Sequence, residues 1–199
     1  KVIDFVGSFV DTNVFNVFGS LTLVEKSFEA AAAEGMDILI EGVNGQILVK
    51  KHMEDKVRIK SRVRSPQNNA DEVLKFNAED DGTISLKLGK SGNISVSHEV
   101  FLPALKFGKI SLRTSNGKIF AEDSLSTEFE SITKNGPVDL MGVSSDSIFV
   151  STRNARVDIG YAIGRNVTIN TSNSLINIKN VKAENIKAVT TNGKIFIEN

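Results

Sequence analysis

The sequence predicts an all-β protein, a single-stranded β-solenoid with about 19 residues per coil, and two observations carry that prediction. Five Thr-x-Asn triplets end in Asn116, Asn135, Asn154, Asn173 and Asn192, each asparagine 19 residues after the last. Apolar residues alternate with polar ones at fixed places after each asparagine. With the asparagine as position 1, position 4 reads Ile119, Val138, Val157, Ile176 and Ile195, and position 6 reads Ala121, Leu140, Ile159, Ile178 and Ile197. The alternation returns at position 14 (Phe129, Ile148, Val167, Ile186) and position 16 (Ser131, Val150, Ile169, Ala188), which gives two strands per repeat with one buried face. Position 9 (Val143, Ala162, Val181) adds a third inward point. A repeat this short cannot enclose a core alone. Stacking copies about 4.8 Å apart buries a continuous column of Ile, Val and Leu. Strand twist favours right-handed winding.

Taken in order, residues 1–24 read as an N-terminal helix or strand linker or as a cap, a short amphipathic helix that either caps the first coil or belongs to an upstream segment. Val2, Ile3, Phe5, Val6, Phe9 and Val10 follow helical spacing, and Asp11 to Asn13 interrupts them. The solenoid domain is expected over residues 25–199. A first unit uses Phe28, Ala30, Ile38 and Ile40 as inward residues, and a second starts at Asn44-Gly45 with Ile47, Val49, Val57 and Ile59. Residues 63–96 break the register. Pro66, Asn68 and Asn69 mark a turn, and Val73 to Phe76 and Thr83 to Leu88 read as strands around Asp80-Asp81-Gly82, an inserted hairpin that extends one sheet. The regular coils are expected over 97–199. Their first member begins at Ser97 and places Val100, Leu102, Leu105, Ile110, Leu112 and Thr114 in the repeat positions, with His98 on the surface of its turn.

The corner carries its own chemistry. Position 18 is Thr114, Thr133, Thr152, Thr171 and Thr190, a β-branched residue whose methyl suits the core and whose hydroxyl can serve the turn. The stacked asparagines can bond amide to amide. Position 2 reads Gly117, Gly136, Ala155, Ser174 and Gly193, while the asparagine is invariant among the coils, so the asparagine is expected to carry any positive φ that the turn requires.

The strings Thr-Ser-Asn-Gly-Lys-Ile (114 to 119), Thr-Lys-Asn-Gly (133 to 136) and Thr-Thr-Asn-Gly-Lys-Ile (190 to 195), with Val-Asn-Gly-Gln-Ile (43 to 47), resemble the putative-adhesin domain family of bacterial cell-envelope proteins. The likeness covers residues 14 to 199, and Leu102-Pro103 before the regular coils adds to it. The resemblance implies a β-solenoid and an envelope setting, surface or extracytoplasmic, with the cytoplasmic membrane face as the other option. Some Gram-positive members stand behind a small helical domain and are linked to envelope stress and antimicrobial-peptide sensing. The family supplies no catalytic residues to transfer.

Composition narrows the chemistry. The chain has 199 residues, with 24 Lys and Arg against 24 Asp and Glu, so no net field draws it to nucleic acid. The absence of cysteine removes disulfides, thiolate nucleophiles and thiolate metal sites. His52 and His98 stand too far apart in sequence for a paired ligand motif, and no apolar run approaches the roughly 20 residues of a membrane span. No cofactor or metal is expected. The chain opens at Lys1 rather than Met, so its location is not readable from a leader.

The outward residues are the candidates for contact. Position 5 reads Phe120, Asp139, Asp158, Asn177 and Phe196, and Asp139 and Asp158 should stand about one strand spacing apart, near Lys118 and Arg156. That pair is either a charge-balanced surface or the acid pair of a glycan-degrading β-helix enzyme. A second face presents Glu128, Glu130, Ser147, Ser151, Asn166, Thr168, Asn170, Asn185 and Lys187 as a polar ladder. Phe120, Phe149 and Phe196 either mark a contact patch or lie under another segment. The last coil stops after one strand, so its edge is expected to be covered by further residues, a second copy or a donated strand. The function expected is a non-catalytic adhesin or envelope recognition module whose ligand the sequence does not name. A self-assembling scaffold resembling bactofilins and a carbohydrate-active enzyme are the rival readings.

Overall fold

The computed structural model describes residues 11–16, 22–66, 70–79, 82–89 and 92–198. The helical spacing at residues 2–10 lies outside them, as do Asn68, Asn69, Asp80 and Asp81. In chain order the elements are β1 (Asp11–Asn16), β2 (Thr22–Ala31), β3 (Asp37–Glu41), β4 (Ile47–Lys51), β5 (Lys56–Ser65), the single helical turn α1 (Ala70–Val73), β6 (Leu74–Glu79), β7 (Thr83–Leu88) and β8 (Ser95–Leu102). The regular coils follow as strand pairs: β9 (Lys106–Arg113) with β10 (Ile119–Glu122), β11 (Leu125–Ile132) with β12 (Val138–Met141), and β13 (Ser144–Ser151) with β14 (Val157–Gly160). The last two pairs are β15 (Ile163–Thr171) with β16 (Ile176–Lys179), and β17 (Lys182–Thr190) with β18 (Ile195–Glu198).

The strands form two sheets, ordered β1-β2-β5-β8-β4-β10-β12-β14-β16-β18 and β17-β15-β13-β11-β9-β3-β7-β6. The architecture is an all-β solenoid. Its coils advance by the 19 residues of the repeat: Ile119 pairs with Val138, Val138 with Val157, Val157 with Ile176 and Ile176 with Ile195. In the other sheet Phe129 pairs with Ile148, Ile148 with Val167 and Val167 with Ile186. The inward columns form one core in which Ile119, Val138, Val157 and Ile176 have no exposed surface, each burial contributing about 1.5–3 kcal/mol. Val143, Ala162 and Val181 are buried as well.

The corner from one sheet to the other is held by two side-chain ladders. The asparagine amides donate rung to rung: Asn116 to Asn44 and Asn135 to Asn116 at 2.5 Å, Asn154 to Asn135 and Asn173 to Asn154 at 2.7 Å, and Asn192 to Asn173 at 2.8 Å. Inside them the threonine hydroxyls donate to the position-2 carbonyl of the preceding rung, Thr114 to Gly45, Thr133 to Gly117, Thr152 to Gly136, Thr171 to Ala155 and Thr190 to Ser174, over 3.0–3.2 Å.

The conformational reading of this corner is corrected. Among the described non-glycine residues only Asn44, Asp123, Tyr161 and Asn180 have positive φ, so the array asparagines do not carry it. The left-handed residue sits at the opposite corner, position 8, as Asp123, Gly142, Tyr161 and Asn180. Glycine serves the asparagine corner by closeness instead. A Cβ on Gly136 would run into the carbonyl oxygen of Gly117, and one on Gly117 into that of Gly45.

The amino-terminal half departs from the simple register. Sheet order places β4 between β8 and β10, and Thr114 bonds to Gly45, so the β3–β4 rung stacks directly on β9–β10 and β7–β8 lies beyond it. The link from β8 to β9 therefore spans two rung steps. It absorbs two extra residues, and His98 rather than Val100 pairs with Ile47. His98 is buried, not on the surface of a turn. Val57 and Ile59 are buried as expected, but on β5, which runs antiparallel between β2 and β8 instead of forming the second strand of a coil. Ile38 and Ile40 do stack on Ile110 and Leu112, whereas Phe28 and Ala30 belong to the antiparallel β2. β6 and β7 form an antiparallel hairpin, and β7 also pairs parallel with β3. The Phe28 and Phe76 rings stack with centroids 4.8 Å apart, joining the two sheets at this end.

Candidate functional site: a cleft on the ten-stranded sheet

The position-5 column is continuous on the outer face. In register Leu48 neighbours Phe120, then come Asp139, Asp158, Asn177 and Phe196. Lys118 Nζ lies 2.5 Å from Asp139 Oδ2 and 5.3 Å from the centre of the Phe120 ring. Arg156 Nε lies 2.7 Å from Asp158 Oδ2, and the Asn177 amide donates to Asp158 Oδ1 at 2.6 Å. Each carboxylate thus has its own cation. The arrangement is charge-balanced and does not place two carboxyls in the contrasting settings that divide acid and base roles between them.

One atom stands apart. Asp139 Oδ1 is buried and accepts no hydrogen bond; its nearest charged neighbour is Arg156, 3.8 Å away. A buried acceptor without a donor costs about 1–3 kcal/mol.

The column residues Phe120, Asp139, Asp158 and Asn177 line a cleft of about 360 Å³ together with Met141, Arg156, Tyr161 and Lys179. Bordering it is the position-7 column, where Glu122, Met141, Gly160, Lys179 and Glu198 follow one another. Gly160 brings no side chain to this row, and the Met141 thioether lies over it. A Cβ there would meet Met141 Sδ at 3.1 Å. Beside Gly160 stands Tyr161, the left-handed residue of its corner, at φ 54° and 62 % exposed. The equivalent corners use Asp, Gly and Asn, which adopt this conformation at little cost, whereas a bulky residue there is strained by about 1–3 kcal/mol. With so much of its surface exposed, Tyr161 gains little from packing to offset that strain.

The other sequence candidates lie elsewhere. Phe149 is on the eight-stranded sheet, half-buried in register between Glu130 and Thr168. Phe196 is exposed on the last rung, outside the cleft. The polar ladder is in place, with Asn185 donating to Asn166 at 3.0 Å. Met141, Gly160 and Tyr161 were missed, although the odd tyrosine in an Asp/Gly/Tyr/Asn column was a readable signal once position 8 is known to be left-handed.

A serine–histidine pair also forms. Ser61 Oγ lies 2.8 Å from His98 Nδ1, and His98 Nε2–H donates to the Glu41 carbonyl at 2.9 Å. This tautomer makes Nδ1 the acceptor and Ser61 the donor. Burial pushes the His98 imidazole down to about 4. Both side chains are 1 % exposed, and they border a small cavity of about 70 Å³ with Lys26, Gln46 and Lys60. His52 bonds to the Lys56 carbonyl at 2.7 Å. Among the described residues no group of three or more His, Asp or Glu side chains is placed to hold a metal, and no helix is long and apolar enough to cross a membrane.

Comparison with solved structures rests on the fold. A putative cell adhesion protein from Clostridium sporogenes superposes with a TM-score of 0.55 at 15 % identity, covering 87 % of this chain and 98 % of that one. The two share one fold. At that identity the likeness extends to the fold alone. A putative adhesin from Bacteroides fragilis aligns over 88 % of this chain and 96 % of its own at 15 % identity with a TM-score of 0.41. A putative lipid binding protein from Parabacteroides distasonis aligns over 87 % and 92 % at 10 % identity with a TM-score of 0.32. No protein-family model and no curated protein matches the sequence.

Proposed function

We propose that the chain is a non-catalytic recognition module of the adhesin type, working at a bacterial envelope surface by rigid display of side chains. The observation that carries this reading is the continuous position-5 column with its cleft: a rigid, charge-balanced set of aromatic, carboxylate and amide groups at strand spacing. The Asn-Gly strings and the fold shared with the clostridial protein support it. A module of this kind needs no moving part, and its outer ladders repeat as a wall polymer repeats.

The scaffold reading is less favoured. The β2–β5 and β6–β7 antiparallel pairings break the parallel register at one end, so the two ends of the array present different strand arrangements.

Co-sedimentation of the purified chain with isolated Gram-positive cell walls, and separately with membrane vesicles, tests the proposal. Saturable retention by one fraction is expected. Absence of retention by both, or turnover of a wall glycan by the pure protein, would overturn it.

A further inference from the structure

We propose that the cleft at Gly160 and Tyr161 is a subsite for a neutral pyranose unit of a glycan, an inference that rests on the recognition reading and names its ligand class. Three features of the site define that ligand. Asp139, Asp158 and Asn177 line it with carboxylate and amide oxygens, so the ligand brings an O–H or N–H. Tyr161 holds its ring out at a strained corner, next to the Met141 thioether that covers Gly160, so the ligand brings an apolar face to lie against an aromatic one. The charges around the cleft are already paired, Lys118 with Asp139, Arg156 with Asp158 and Lys179 with Glu198, so a ligand of either sign would have to break a pair to be matched.

A pyranose meets all three conditions. Its C–H face suits a tyrosine ring, its hydroxyls donate to carboxylate and amide oxygens, and it is uncharged. The alternatives fit less well. An extended peptide adds to a sheet edge, whereas this cleft lies on a sheet face whose backbone groups are engaged in parallel pairing with both neighbours. An acyl chain would bring no donor to the carboxylate and amide groups of Asp139, Asp158 and Asn177. The volume of about 360 Å³ falls within the range of small-ligand sites.

The test uses an internal reporter. Tyr161 is the sole tyrosine of a chain without tryptophan, so tyrosine emission reports this site and no other. The full chain is titrated with cellohexaose, N-acetylchitohexaose and maltohexaose, followed by emission and by calorimetry. A saturable change with at least one of them is expected. Calorimetry should then show affinity reduced about tenfold or more in Tyr161→Asn, which suits the left-handed corner, and in Gly160→Glu, which pushes Met141 into the cleft, while Tyr161→Phe binds nearly as the parent does. The inference is overturned if none of the three sugars binds, or if Tyr161→Asn binds as the parent does. Retention of Tyr161→Asn on cell walls at the parent level would also overturn this subsite while leaving the recognition reading standing; loss of wall binding by the parent chain itself would remove both.

Discussion

Ser61 and His98 face each other directly across the antiparallel pairing of β5 and β8, with Ser61 Oγ 2.8 Å from His98 Nδ1 and the buried Lys26 in register with Ser61 on its other side. The imidazole is neutral in the folded chain because burial disfavours its charged form. The unfolded chain therefore takes up this proton at a higher pH than the folded one does, and stability is linked to pH.

The sign is as follows. With a folded value of about 4 against an ordinary 6.5, the unfolded chain binds the extra proton between those pH values. Stability is complete above pH 6.5 and falls as pH drops toward 4, by about 3 kcal/mol. Denaturant midpoints measured across this window should decline in the parent. The decline should be much smaller in His98→Leu and confined to the acid end, where protonation of Glu29 and Glu130, both held below the usual carboxylate range, also costs stability.

Ser61→Ala removes the donor to His98 Nδ1 and leaves a buried acceptor unpaired. A loss of about 1–2 kcal/mol is expected in equilibrium unfolding, well above the effect of a surface serine substitution.

Thr152→Val keeps the shape of the inner ladder and deletes the hydroxyl that reaches the Gly136 carbonyl. The expected loss is about 1–2 kcal/mol. Gly136→Ala acts on the same corner by another route, pressing a methyl against the Gly117 carbonyl, and should cost about 1–3 kcal/mol by urea unfolding.

Asn135 donates to Asn116 and accepts from Asn154. In Asn135→Asp the carboxylate can still accept but meets the Asn116 oxygen without a proton between them. The ladder is exposed, so the loss at neutral pH should be about 1 kcal/mol. It should shrink in acid, where the protonated carboxyl donates again and is favoured by folding.

Tyr161→Asn should raise the unfolding free energy by about 1 kcal/mol, since asparagine adopts the left-handed corner more easily than tyrosine does. Thermal or chemical unfolding of the pair reads it directly. A stabilising substitution at an exposed aromatic is the signature of a residue held for contact rather than for folding.

The repeat made the carboxyl-terminal coils legible because each coil restates the same constraints. Position 4 must be apolar in every copy, and Val138, Val157 and Ile176 announce one another. The amino-terminal half has no such redundancy. Val57 and Ile59 alternate correctly for an inward face, but alternation does not say whether the neighbouring strand runs parallel or antiparallel, so β5 was assigned to the wrong sheet. His98 looked polar and therefore exposed, since a single chain position cannot show that a serine and a carbonyl await it in the core. Asp139 and Asp158 were recognised as neighbours from the 19-residue step alone. The cleft beside them was not, because it is shaped by the Met141 thioether lying over Gly160 and by a backbone conformation at Tyr161, neither of which spacing reveals.

The placement of β4 between β8 and β10 bears on how the chain assembles during synthesis. The β3–β4 rung leaves the ribosome early, yet the strands that cover its two sides arrive at different times: first β7 and β8, later β9 and β10. Until then its lower edge is open, an edge on which the first regular coil can be laid down as it emerges. Substitutions that weaken Ile47 or Val49 should delay the whole array, whereas equal damage near β17 should leave the earlier coils formed.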